Sequence, residues 1–383
     1  MTEYLDIIMF AALMGAILMG FPVSFSIAGV GVIFAYIGWY TGHMDITLLG
    51  AMGQRVFGLL SNNVLIAIPL FVLMGAILEK SRIAEELLDT MGRLFGQLRG
   101  GLGISVVLVG ALLAASTGIV GATVVAMGMI ALPTMLRAGY DPRVASGIVC
   151  TAGTLGQIIP PSTLLIILAD VMSNSFQQAQ YEQGKFSVEA LSVGQFFAAA
   201  VVPGLLLVSL YLIYILLRGW IRPQDMPPAP ADLAKPDRAE VIRAVVPPVL
   251  LIFAVLGAIL GGIATPTEAA SVGAVGALLM TGYKMGLNSK LILLGTVALI
   301  TLGILAGAFP VRLQRDDLSN GTFALGLVYA GLAIAGSLAV IFALRSAIKE
   351  KVVHDAISST LTMTSMIFAT ILAAGVFSLV FIG

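Results

Sequence analysis

The chain has 383 residues, of which 59% are hydrophobic and only 10% charged, with 20 basic side chains balanced by 20 acidic ones. Soluble domains carry about 25% charged residues, and a chain without net charge offers no basic face to nucleic acid. A mean hydropathy of +1.04, spread over long uncharged runs, therefore predicts an all-α polytopic membrane protein. A single cysteine and two histidines exclude a disulfide framework and a Cys/His metal cluster. Cys150, in an apolar stretch, reads as a small packing residue.

In chain order, residues 1–6 carry Glu3 and Asp6 rather than the basic region of a secretory signal, and so read as part of the mature protein. Residues 4–19 and 22–41 predict two spans, the first running inward from an outside N-terminus. Residues 42–61 stay outside as a partly interfacial segment. Residues 62–79 run inward behind the caps Asn62 and Asn63. Residues 81–98 carry Ile83, Leu87, Leu88, Met91 and Leu94 at helical spacing, which predicts an amphipathic helix lying on the inner surface.

Basic residues set these directions. Lys80, Arg82, Arg93 and Arg99 fall in one loop, and Arg137 and Arg143 flank another. Arg218, Arg222, Lys235, Arg238 and Arg243 fill a proline-rich third. The positive-inside rule puts all three in the cytoplasm. Residues 101–136 then enter and leave on the same side, which predicts a re-entrant hairpin. Its middle is interrupted by Ser116-Thr117-Gly118-Ile119-Val120-Gly121-Ala122-Thr123, and its first arm, residues 101–115, reaches about 22 Å, near the bilayer midplane. Two short spans joined by a tight outer turn are the competing reading, since they leave the charge pattern unchanged. Residues 144–169 cross outward as a helix broken at Gly153-Thr154-Leu155-Gly156-Gln157-Ile158-Ile159-Pro160-Pro161-Ser162-Thr163. Residues 170–192 are expected as a polar outer loop, and residues 193–217 return.

The second half opens like the first. Pro22-Val-Ser-Phe-Ser-Ile-Ala-Gly29 has its counterpart in Pro266-Thr-Glu-Ala-Ala-Ser-Val-Gly273. Residues 245–264 and 269–283 run opposite to the first pair, the signature of an inverted-topology repeat. Residues 291–311 and 322–344 form an inserted pair of spans joined by a mixed-charge loop holding Arg312, Arg315, Asp316 and Asp317. Residues 358–383 correspond to 62–79, and the second hairpin and second broken helix demanded by the repeat do not follow. The expectation is a fragment of a longer subunit, which leaves a non-transporting membrane scaffold as the alternative function.

An unpaired backbone group in lipid costs several kcal/mol, so the two breaks require a protein, water or ligand partner. A helix ending at the midplane presents carbonyls carrying about half a negative charge. The end of the first hairpin arm with Ser116 and Thr117, and the end of the first half of the broken helix, are thus candidate cation sites. Gly118, Gly121, Gly153 and Gly156 permit carbonyls to be aimed inward, and Pro160-Pro161 frees upstream carbonyls from helical pairing. Hard oxygen ligands without a carboxylate suit Na⁺. Ser162 and Thr163 begin a new half-helix, and Thr123 the second hairpin arm; these positive ends, with Gln157 in the break, suit an anionic substrate such as a carboxylate. Hydroxyls that only cap broken helix ends are the competing reading of Ser116, Thr117 and Ser162. Glu268 reads as a helix cap. With His43 and His354 in loops and no acid in either break, no enzyme chemistry is expected and no cofactor beyond Na⁺ as coupling ion.

A set of motifs spread through the chain resembles the large membrane (permease) subunit of tripartite ATP-independent periplasmic (TRAP) transporters, within the ion-transporter group of elevator carriers. They are Gly20-Phe-Pro-Val-Ser-Phe25, Ala67-Ile-Pro-Leu-Phe-Val-Leu-Met-Gly75, residues 116–123, Pro133-Thr-Met-Leu-Arg-Ala-Gly-Tyr140, Gly156-Gln-Ile-Ile-Pro-Pro-Ser162 and Thr265-Pro-Thr-Glu-Ala-Ala270. The resemblance implies a multi-pass protein of the bacterial inner membrane that imports organic acids, such as C4-dicarboxylates or sialic acid, with Na⁺. It implies two partners, a small four-helix membrane subunit and a periplasmic solute-binding protein that sets selectivity. It also implies a division of labour: residues 1–61 and 244–290 as scaffold spans, 62–174 as transport elements, 193–243 as connection, 291–345 as insertion and 346–383 as the start of a second transport half. On that basis Ser116, Thr117, Gly118, Gly121, Gly153, Gly156, Pro160 and Ser162 line the cation site, and Thr123, Gln157 and Thr163 face the substrate.

Overall fold

The computed structural model describes residues 5–42, 44–117, 120–185, 187–228, 235–286, 288–309 and 320–382. They form fifteen α-helices linked by turns and short 3₁₀ segments, with no strand among the described residues. Six of these helices are long and apolar enough to cross a membrane. The protein is an all-α polytopic membrane protein. His43, Gly118 and the loop at 310–319, with Arg312, Arg315, Asp316 and Asp317, lie outside the described residues.

The chain divides into two bodies, residues 1–66 with 360–383, and residues 67–359. In the first, α1 (Leu5–Leu18) packs on α2 (Val23–Tyr40), which starts at the cap Pro22. Met9, Leu13 and Val30 form its core with Phe377 and Val380 of α15 (Val352–Ile382). A Cβ on Gly31 would lie 3.3 Å from the Phe377 Cα, so glycine permits this close helix crossing. The expected interfacial segment is a 3₁₀ turn, Ile46–Ala51, and a short amphipathic helix, α3 (Met52–Leu60). The Oδ1 of Asn62 accepts from Val64 N (2.9 Å) in the turn ahead of α4 (Ala67–Lys80).

In the second body α5 (Ile83–Phe95) is the expected amphipathic helix. It buries Ile83, Leu87, Leu88 and Met91, and leaves Glu85, Glu86 and Asp89 exposed. Two charge contacts tie it to the second half of the chain. Arg93 pairs with Glu240 in the first turn of α11 (Arg238–Leu260), and Glu86 with Lys284 at the end of α12 (Pro266–Lys284), at 2.7 Å. Ser105 of α6 (Gly101–Thr117), 1% exposed, adds a bond to the Met91 carbonyl at 2.7 Å.

The two arms of the hairpin are α6 and α7 (Val120–Arg137), with residues 118–119 between them. The break is narrower than the sequence suggests. Ser116 and Thr117 belong to the last turn of α6, and Thr123 lies one turn inside α7 rather than at its start. Apolar residues on both sides let the helices propagate almost to the tip. At 17 and 18 residues the arms are about 26 Å long at 1.5 Å per residue.

Both feet of the hairpin are fastened to one short segment. Gly100 N donates to Met226 O (3.2 Å), and Asp141 N to Asp225 O (3.0 Å). That segment follows α10 (Val193–Ile221) and is held by Arg218, whose guanidinium reaches Asp225 at 2.7 Å. Gly100 (φ 77°) and Gly139 (φ 86°) take left-handed turns here that other residues rarely adopt. Between them Tyr140, 3% exposed, receives the otherwise orphan N–H of Gly103 in the first turn of α6 (3.4 Å). Burial pushes its phenol up to about 12, so it stays protonated at any physiological pH.

The broken helix is α8 (Pro142–Thr154), a 3₁₀ turn at Leu155–Gln157, and α9 (Thr163–Glu182). The expected polar loop at 170–192 is overturned, because α9 continues to Glu182. Its polar end, Ser173-Asn-Ser-Phe-Gln-Gln-Ala-Gln-Tyr-Glu182, bonds along the helix from Gln177 to Ser173 and from Gln178 to Glu182. In the second half, α12 opens with Pro266 at its first position and a capping box of Thr265 and Glu268, as expected for Glu268. The inserted pair, α13 (Ser289–Ala308) and α14 (Asn320–Lys349), packs through small residues: Gly295 against Ala339, and Gly282 of α12 against Ala343.

Candidate functional site

The hairpin and the broken helix come together at a glycine. A Cβ on Gly153 would sit 2.3 Å from the Val124 Cγ2 and 3.0 Å from its Cα. The end of α8 therefore lies directly against the first turns of α7, one residue past Thr123. Gly110 makes the same kind of approach on α6, where a Cβ would meet that of Ala152 at 2.9 Å. The Leu155–Gln157 turn packs on α6 and α7 as a result. From behind, Gly204 of α10 admits Ile159, which a Cβ would meet at 3.3 Å.

Glycine thus has a different role here from the expected one. Neither Gly153 nor Gly156 takes a positive φ, and Gly121 sits inside α7 with open space where a Cβ would go. Gly153 supplies proximity rather than backbone freedom. Gly118 lies outside the described residues, as do the side chains of Ser116 and Thr117.

The second part of the break is buried. Pro160, Pro161, Ser162 and Thr163 are buried, with Ser162 0% exposed, and the Pro160-Pro161 bond is cis. The Ser162 hydroxyl donates to Gln157 O (2.9 Å) and accepts from Leu165 N (3.4 Å). It caps α9 and bridges the break in one contact. Leu155 O receives two amides, those of Ile158 and Ile159, both at 3.0 Å. Two of the carbonyls in the break are therefore engaged within the turn. Gln157, with its side chain half-buried, and Thr163, at the first position of α9, share this segment with Ser162.

Thr123, 3% exposed, faces elsewhere. With Leu113 and Met127 it lines the deep end of a cavity of about 430 Å³ between α7, the end of α4 and the start of α5. A smaller crevice of about 120 Å³ continues beneath α5 past Leu88, Ser105 and Met135, sharing Glu85 and Ile130 with the larger one. Ser162 and Thr163 line neither of these two. Sequence reasoning missed Val124, the partner of Gly153, and the 225–226 clasp at the hairpin feet. No local pattern announces a contact between residues so far apart in the chain.

Comparison with known proteins points to one family. A family model described as "Tripartite ATP-independent periplasmic transporter, DctM component" matches residues 8–308. The chain is similar to the C4-dicarboxylate TRAP transporter large permease protein DctM of Pseudomonas aeruginosa, at 37% identity over 227 residues, which cover 59% of this chain and 48% of that protein. It is similar to the protein of the same name from Vibrio cholerae, at 31% identity over 70% of this chain and 54% of the relative. An ectoine TRAP transporter large permease protein, TeaC of Halomonas elongata, is 27% identical over 69% of this chain and 56% of its own length. The chain spans about half the length of these curated relatives.

Proposed function

Because the chain belongs to the family of DctM components of tripartite ATP-independent periplasmic transporters, we propose that it is part of a large permease subunit that imports an organic acid. The observation that carries the reading is the Gly153–Val124 approach, which sets the broken helix against the hairpin. Broken segments held together at membrane depth are where secondary carriers bind solute and coupling ion. The coupling ion in this proposal is Na⁺, bound by Ser116, Thr117, Gly118, Gly121, Gly153, Gly156, Pro160 and Ser162. Gln157 and Thr163 contact the solute at the break, and Thr123 from the cavity beside α7.

Relatives named for C4-dicarboxylates and for ectoine, which also carries a carboxylate, support a carboxylate-bearing substrate. The partners are a small four-helix membrane subunit and a periplasmic binding protein that delivers the solute. Residues 62–174 move as the transport element, with the hairpin re-entrant, by an elevator mechanism. The test is uptake of labelled succinate and of labelled ectoine into proteoliposomes that hold the full permease and its small subunit, with the binding protein outside. Uptake that follows an inward Na⁺ gradient is expected. Uptake indifferent to replacing Na⁺ by K⁺ would defeat the coupling, and uptake of neither solute would defeat the substrate class.

A further inference from the structure

The 430 Å³ cavity has a size suited to a small solute, and its ends are chemically distinct. At one end lies Thr123, in the first turns of α7 where the helix dipole is positive. About 10 Å away along α7 at 1.5 Å per residue, the cavity's exposed lining is Lys80, Arg82, Glu85 and Met129, the first three in the segment that the charge rule assigns to the cytoplasm.

Arg82 stands out on this lip. Its φ of 58° is left-handed, a conformation that a residue with a Cβ adopts rarely and that glycine would take freely. The neighbourhood fixes it there: Arg82 N donates to Glu79 O (3.0 Å), and Lys284 Nζ of α12 donates to Arg82 O (2.9 Å) while pairing with Glu86. The other cations nearby are spoken for, Lys80 by Glu79 at 3.0 Å and Lys284 as just described. Among the described residues the Arg82 guanidinium has no ion pair or hydrogen-bonded acceptor. Glu85, across the lip, is also outside any ion pair among them. An arginine held in a left-handed backbone conformation by another helix, with its charge unspent at the mouth of a cavity, is placed for a ligand.

We propose that this cavity is the inner leg of the solute's path, with Arg82 receiving the carboxylate at its cytoplasmic mouth and Lys284 positioning Arg82 through its carbonyl. The proposal rests on the carrier reading above. Its test needs no transport. In inside-out vesicles from cells making the permease with its partners, in a Cys150→Ser background, Thr123→Cys and separately Ala126→Cys are exposed to anionic sulfonatoethyl methanethiosulfonate or to its cationic trimethylammonium analogue. Both cysteines should label from the cytoplasmic face. Arg82→Gln should lower the anionic-to-cationic labelling ratio about fivefold, the change expected from one nearby charge acting on reagents of opposite sign. Arg82→Lys should keep most of the ratio, and Glu85→Gln should not lower it. Lys284→Met should lower it in part, with Lys284→Arg restoring it. Absence of labelling at both positions, or a ratio indifferent to Arg82→Gln, overturns the proposal. Normal labelling without Na⁺-driven uptake would overturn the carrier reading instead.

Discussion

At the scale of single residues, Gly153 and Ser162 carry the break. Gly153→Ala places a methyl group 3.0 Å from the Val124 Cα. A side chain can turn aside but a main chain in a packed helix cannot, so a cost of about 1–3 kcal/mol is expected, seen as a lower thermal midpoint in detergent. Gly121→Ala, with nothing within 4 Å, should leave that midpoint unchanged or higher, since alanine is favoured over glycine in a helix by up to ~1 kcal/mol. Ser162→Ala removes both the cap of α9 and the donor to Gln157 O. Its cost of roughly 1–2 kcal/mol should come with faster hydrogen exchange at Leu165, and unchanged exchange there would show the cap to be idle. Ser162 was visible in the sequence as a hydroxyl following two prolines. That its hydroxyl faces inward to a carbonyl five residues back was not, because the path of the turn between them depends on what packs behind it.

At the scale of elements, α5 is the piece whose sequence and surroundings agree most completely. Its apolar spacing announced a surface helix, and of the residues that spacing selects Ile83, Leu87, Leu88 and Met91 are buried, while Leu94 near the end of the helix is exposed. The sequence did not say which helices it would meet. Those partners are α6, which bonds it through Ser105 and Met91, and α11 and α12, through Arg93–Glu240 and Glu86–Lys284. Exposed pairs of this kind contribute about 0.2–1 kcal/mol each and weaken as salt screens them. A double-mutant cycle on Glu86 and Lys284 is therefore expected to give a coupling below about 1 kcal/mol that shrinks further at 1 M salt; a larger, salt-independent value would mean the pair is desolvated in the membrane. The hairpin shows the opposite balance. Its existence was legible from glycine and hydroxyl residues amid apolar ones, while its tip was drawn too wide, since Thr123 and Val120 have no local reason to leave the helix once α8 packs beside them.

At the scale of the whole molecule, composition, span count and charge placement determined the fold class and most helix boundaries. The long-range order did not follow from them: the clasp on the hairpin feet, the Gly153–Val124 approach and the seat of the inserted pair on α12 all join segments distant in sequence. The cation and solute sites were legible as candidates because broken apolar runs are costly in lipid, but the division between them depends on which carbonyls the local turn consumes. One prediction concerns sidedness. Arg99→Cys, Arg137→Cys and Arg222→Cys, all close to the clasp in sequence, should react with an impermeant thiol reagent from the cytoplasmic face only; reaction of any one from the periplasmic face would refute the charge-derived topology. The clasp has a further consequence. Because Gly100 and Asp141 grip the 225–226 segment through their main-chain amides, while Arg218 holds the Asp225 carboxylate and the Met226 side chain is fully buried, that joint sets the register of both feet at once. Lengthening or shortening the segment by one residue would slip both feet together, making chain length a guarded quantity at this seam.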